Sequence, residues 1–122
     1  MNIRNVTPDD MDIIRRIHKL FFEDEFELPE THYLGAFIIE EDGAMITTGG
    51  IRTIPELIAI TNKDISPRKR REALVMLLQA SSFVCDKLGY DHIHAFVQDE
   101  NWYNQLIKRG FHTPKGKALI YG

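Results

Sequence analysis

The stretch from Glu56 to Leu78 constrains the fold most. An apolar run, Glu56-Leu57-Ile58-Ala59-Ile60, leads through Ile65-Ser66-Pro67 into Arg68-Lys69-Arg70-Arg71-Glu72-Ala73, and then into a helical pattern led by Leu74, Leu77 and Leu78. A strand that feeds a helix through a short basic turn builds an anion site. The first helical N–H groups have no partner within the helix, and the helix dipole adds partial positive charge there. Basic side chains at a helix N-terminus oppose that dipole, at about 0.3–1 kcal/mol each when exposed. The run Arg68–Arg71 therefore asks for an explanation. One is a bound phosphate; the other is a solvated basic loop tip, partly offset by Glu72.

The chain has 122 residues, enough for one domain (1–122) to bury a core without disulfides or metal. Its formal charge of −3 argues against a general nucleic-acid binder. The run Arg68–Arg71 has no aromatic platform or recognition motif beside it, so nucleic acid is not an expected partner. Cys85 is the single cysteine, which excludes an intramolecular disulfide and a cysteine zinc site. Met1-Asn2-Ile3-Arg4 lacks the apolar run of a signal peptide, and no segment approaches ~18 consecutive apolar residues. The expectation is a reduced, cytoplasmic protein without a membrane partner, monomeric or homodimeric.

Along the chain, residues 2–6 read as a short strand. Thr7-Pro8-Asp9-Asp10 is a helix start, with Thr7 as N-cap, Pro8 at the first helical position and Asp10 completing a capping box. Met11, Ile13, Ile14, Ile17, Leu20 and Phe21 follow at helical spacing, and Arg15, Arg16 and Lys19 take the other side. From Glu23 to Thr31 the pattern gives way to an acidic stretch, Glu23, Asp24, Glu25, Glu27 and Glu30, interrupted by Phe26, Leu28 and Pro29. It reads as a short helix or a loop, and as either a solvated connector or an attractor for a cationic amine.

Tyr33–Glu41 and Ala44–Ile54 read as strands joined at Asp42-Gly43, a strong hairpin signal. Gly49-Gly50 marks a bulge or a close approach. After Pro55 comes the strand Glu56–Thr61. The next helix carries Leu74, Leu77, Leu78, Ser81, Val84, Cys85 and Leu88 at i, i+3, i+4 spacing and stops at Gly89. Cys85 falls on its buried stripe and reads as core. Tyr90–Val97 reads as a strand parallel to Glu56–Thr61 through a right-handed crossover. His92 and His94 share one face of it, without a third metal ligand at an informative spacing. Asp99 or Asn101 opens a last helix with Trp102, Tyr103, Leu106 and Ile107. Gly110 caps it, and Ala118–Tyr121 reads as a terminal strand. The predicted class is mixed α/β.

This order, with these motifs, resembles the GNAT N-acetyltransferase fold over nearly the whole chain. Ile65-Ser66-Pro67 stands where that family has a Val-x-Pro step. Arg70-Arg71-Glu72-Ala73-Leu74-Val75 follows where its Arg/Gln-x-x-Gly-x-Gly/Ala turn holds the pyrophosphate of acetyl-CoA. Asn101 and Arg109-Gly110-Phe111 echo its later Asn and Leu-Gly-Phe segment. The resemblance implies a mostly antiparallel sheet of six to seven strands, splayed between the fourth and fifth, with three to four flanking helices.

It also implies an acetyl-CoA-dependent transfer to a small-molecule or protein amine. The cofactor residues would be Ile60, Ile65, Arg70, Arg71, Glu72, Ala73, Leu74, Val75 and Asn101, with pantetheine pairing to the backbone of residues 60–65. Glu56 would stand as the base, directly or through water, and the amine would enter from the first helix and the acidic stretch.

Two departures from the family pattern bear on chemistry. Ala73 and Val75 replace glycines whose missing Cβ lets backbone N–H groups reach phosphate oxygens, and the branched Val75 crowds more than Ala73. Arginine side chains can hold the phosphates instead. Leu106 occupies the position from which a tyrosine commonly protonates the departing thiolate. Tyr103, one turn earlier on about the same face, is the substitute acid or else packs the helix with Trp102. The same departures resemble degenerate GNAT-like proteins of some tailed phages, which implies the rival reading: a structural or protein-binding module, active in a virion or host cytoplasm.

Overall fold

The computed structural model describes residues 1–122. The chain is mixed α/β. Its elements are β1 (Asn2–Asn5), a 3-10 turn (Pro8–Asp10), α1 (Met11–Phe21), β2 (Tyr33–Glu41), β3 (Ala44–Arg52), α2 (Pro67–Lys87) and α3 (Glu100–Lys108). They fall in two compact units, one of residues 1–53 with 111–122 and one of residues 54–110.

In the first unit, β1, β2 and β3 form an antiparallel sheet in that order. The hairpin closes where the sequence places it: Glu41 faces Ala44, and Asp42 (φ 53°) and Gly43 (φ 78°) both take the left-handed region that a two-residue turn between twisted strands requires. Gly50 carries a close approach, because a Cβ there would overlap the carbonyl oxygen of Gly35, whereas Gly49 faces open space. Ile38, 1% exposed, is the most buried side chain of the sheet.

The helix start is held as its residues dictate. The Asp10 carboxylate accepts from the Thr7 N–H at 2.7 Å and from its hydroxyl at 3.1 Å. Arg4 of β1 forks onto the same carboxylate at 2.8 and 2.9 Å and donates through Nε to Glu40 at 3.2 Å, tying the edge strand to the helix entry and to β2. The acidic stretch forms a turn and then irregular chain. Phe26 is drawn back onto α1, its ring edge-on to His18 at 4.9 Å and tilted on Phe22 at 5.8 Å.

The sheet has three strands, not the six to seven expected. Glu56–Thr61 and Tyr90–Val97 meet in a single parallel bridge, Glu56 to His94, and form no ladder. Leu57 donates to the His94 carbonyl at 2.7 Å and His94 to the Pro55 carbonyl at 2.9 Å. Beyond the bridge, Ile58, Ile60 and Phe96 stand exposed. Parallel pairing is weaker per residue than antiparallel and persists where both faces are covered, which these side chains are not. Ala118–Tyr121 is likewise no strand, with Leu119, Ile120 and Tyr121 open to solvent. A segment that short gains too few hydrogen bonds to offset its ordering entropy.

Candidate functional site

The second unit holds the residues singled out for phosphate and cofactor. Ser66 caps α2 and Pro67 is its first residue, so the basic run lies inside the opening turns of the helix and not in a turn ahead of it. The Ser66 hydroxyl accepts from the Lys69 N–H at 3.4 Å, and its carbonyl from the Arg70 N–H at 3.0 Å. The N–H groups of Arg71–Val75 point back along the helix toward its own carbonyls. No backbone cradle of the glycine-rich kind exists here, and a phosphate would have to be held by side chains.

Of the basic run, Lys69 and Arg70 line a cavity of about 300 Å³ between residues 59–65, one face of α2 and Trp102 of α3. Ile60, Ile65, Arg70, Ala73 and Leu74 share its wall. Arg71, Glu72, Val75 and Asn101 do not. Val75 instead lines a separate groove beside Leu78, Phe83 and Arg109, so its branched side chain is turned away from Arg70 and Ala73. Lys69, Leu77 and Trp102 are wall residues that the sequence reading missed as such. A signal existed: with Ser66 as N-cap, positions 66, 69, 70, 73, 74 and 77 fall on one helical face. No comparable pattern marks Trp102, which read as helix packing.

Arg70 is the chemical centre of this wall. It is half-buried, and its Nε is enclosed without a hydrogen-bond partner. A buried donor left unmade costs on the order of 1–3 kcal/mol, and an anionic oxygen in the cavity would remove that cost. Past the Glu56–His94 bridge, the backbone of Ile58–Thr61 pairs with no neighbouring strand, and Ala59–Thr61 of this unpaired stretch line the same cavity.

The proton-transfer candidates are placed differently. Glu56 is exposed at the bridge. Tyr103 is 40% exposed on α3 and outside the cavity wall. Leu106, 2% exposed, is core. Asp99 opens α3, its carboxylate accepting from the Asn101 N–H at 3.3 Å, so Asn101 lies in the first turn. Cys85 is half-buried on the α2 stripe. His92 and His94 belong to no cluster of three or more metal-ligating side chains. No helix is long and apolar enough to cross a membrane.

No family model matches this chain, and no curated protein does. Among solved structures, an aminoglycoside N-acetyltransferase in complex with CoA aligns over 99% of this chain and 98% of its own, at 19% identity and a TM-score of 0.35. A superposition that loose carries no argument about fold or activity.

Proposed function

We propose that this chain binds acetyl-CoA through the Arg70 wall and passes the acetyl group to an amine, as the GNAT resemblance of its sequence implies. The observation that carries the reading is the enclosed, unpartnered Nε of Arg70 in a cavity that Lys69 also lines. Arg70 and Lys69 hold the diphosphate by charge-assisted hydrogen bonds, in place of the missing glycine backbone. The open backbone edge of residues 58–61 and the residues to Ile65 pair with the pantetheine amides, and Trp102 covers its apolar length. Acetyl-CoA supplies the thioester carbon that the amine attacks. Glu56, or a water it orients, takes the amine proton, the C–S bond breaks as the C–N bond forms, and the released thiolate draws its proton from Tyr103 or, because Tyr103 is not a wall residue, from solvent. Ala73 fits the wall because a single methyl leaves the cavity open.

A second reading, a GNAT-like module that binds a protein or builds a structure without catalysis, is favoured by Leu106. It is buried where the family's acid stands, and Tyr103 lies outside the wall. Calorimetric titration of the full chain with acetyl-CoA separates the two. Binding in the micromolar range that weakens about tenfold or more in Arg70→Ala supports the first reading, and thiol release with an amine panel then tests turnover. Absence of heat for the parent chain overturns acetyl-CoA binding. Val75→Gly tests the placement of the wall: its affinity is expected to match the parent, because Val75 faces the other groove.

A further inference from the structure

The first unit contains a cleft beside α1 that shares no lining residue with the Arg70 cavity. It measures about 780 Å³ and lies between α1 and the sheet, within the range of small-molecule sites. Part of its floor is open for a reason visible in the register: Ala36 pairs with Gly50, and Gly49 and Thr48 line the cleft beside them, so little side-chain volume fills that part of the sheet. Met11, Ile14, Ile17, Phe22 and Phe26 make its other wall apolar. An apolar hollow of this size gains nothing from water and is a natural seat for an apolar body.

The polar side chains on the wall are mostly committed. Glu30 accepts from Arg15 at 2.6 and 3.0 Å, His18 Nε2 lies 2.7 Å from the Phe26 carbonyl, and the Tyr33 hydroxyl donates to the Pro29 carbonyl at 2.7 Å. Thr48 donates to the Phe37 carbonyl at 2.9 Å. Thr47 and Arg52 are the exceptions, and of the two only Arg52 carries a charge. Arg52 is half-buried on the wall and takes part in none of the ion pairs or side-chain hydrogen bonds of the unit. Glu23, Asp24, Glu25 and Glu27 do not line the cleft, so an amine would find no free carboxylate there.

We propose that this cleft binds an anionic amphiphile, a carboxylate on an extended apolar body, with the carboxylate forked onto the Arg52 guanidinium and the body under α1. The fork is the geometry in which guanidinium and carboxylate match best. The site is independent of the acetyl-CoA wall, and either can fail without the other.

The test is isothermal titration of the full chain with matched probes: dodecanoate, dodecanol, dodecylamine and 4-phenylbutyrate. Dodecanoate is expected to bind more tightly than dodecanol and dodecylamine. Arg52→Gln should weaken dodecanoate by roughly ten- to a hundredfold while leaving dodecanol unchanged. Arg52→Lys should give an intermediate loss, since charge survives and the fork does not. Circular dichroism of both variants checks that the sheet is intact, and Ala36→Leu, which fills the floor, should weaken every chain-bearing probe. If 4-phenylbutyrate exceeds dodecanoate, the body is aromatic and the proposal stands with that source. Equal binding of dodecanol or dodecylamine, indifference to Arg52→Gln, or no binding of any probe overturns it.

Discussion

Ala36-Phe37-Ile38-Ile39 and Leu57-Ile58-Ala59-Ile60 are nearly the same segment by composition, yet they end differently. The first is laddered on both sides, to β1 and to β3. The second makes one bridge and then runs free. What separates them is closure. Asp42 and Gly43 return the chain in two residues with the backbone sign the turn needs. Glu56 and His94 are separated by the whole of α2, so their pairing carries a larger closure entropy and a weaker parallel ladder as its return. Strand-forming composition gives the capacity to pair, and the connection decides whether it is used. An unused edge is in turn what leaves backbone groups for a ligand along the Arg70 cavity.

The contrast can be broken most directly at Gly50. A Cβ there would meet the Gly35 carbonyl oxygen and lie 2.8 Å from the Ala36 Cα, both backbone atoms that cannot rotate away. Gly50→Ala is expected to remove the β2–β3 ladder, at more than about 4 kcal/mol, seen as loss of strand signal and of amide protection over Tyr33–Arg52. Gly49→Ala meets nothing within 4 Å and should melt near the parent. A Gly50→Ala protein as stable as Gly49→Ala would mean that the hairpin does not depend on that approach. Next in size, Ile38→Ala, at 1% exposure inside the ladder, should cost about 2–5 kcal/mol by denaturant melting. Leu57→Ala, at 9% exposure beside a lone bridge that can collapse, should fall at or below about 2 kcal/mol. Equal costs would erase the difference between the two segments.

The same contrast marks how much was legible beforehand. Local signals held: the Thr7–Asp10 helix start, the Asp42-Gly43 turn, the Gly89 and Gly110 stops and the period of α1 are all written in neighbouring residues. Non-local outcomes were not. Nothing in Leu57–Ile60 or Ile93–Val97 states whether the partner strand will arrive, and the expected ladder became one bridge. At the site, aligning Ala73 and Val75 with family glycines hid the helix phase. Ser66-Pro67 starts α2 early and sends Val75 to a different groove from Arg70. Arg52 carried no signal at all, because an arginine ending a strand becomes notable only once its lack of a partner is seen in three dimensions.

The smallest expected effect, and one that sharpens the contrast through charge, is the acid response. Arg4 holds the Asp10 carboxyl well below the usual carboxylate range, chiefly by its hydrogen bonds and then with the help of the Thr7 N–H. Because the folded value is depressed, the stabilisation is complete above the ordinary value of 3.8 and is lost as the pH falls below it toward the folded value. Melting temperature followed from pH 6 downward should therefore drop below about pH 4 in the parent and drop less steeply in Asp10→Asn, which has no such proton to take up. In the second unit the Arg68–Glu72 pair is exposed on both sides at 3.9 Å, and such pairs contribute little. Glu72→Gln is expected to leave the acid limb where it is in the parent. If Glu72→Gln flattens that limb and Asp10→Asn does not, the acid-sensitive tie lies at the head of α2, and the Arg4–Asp10 fork is ornament on an edge strand that would stay in place without it.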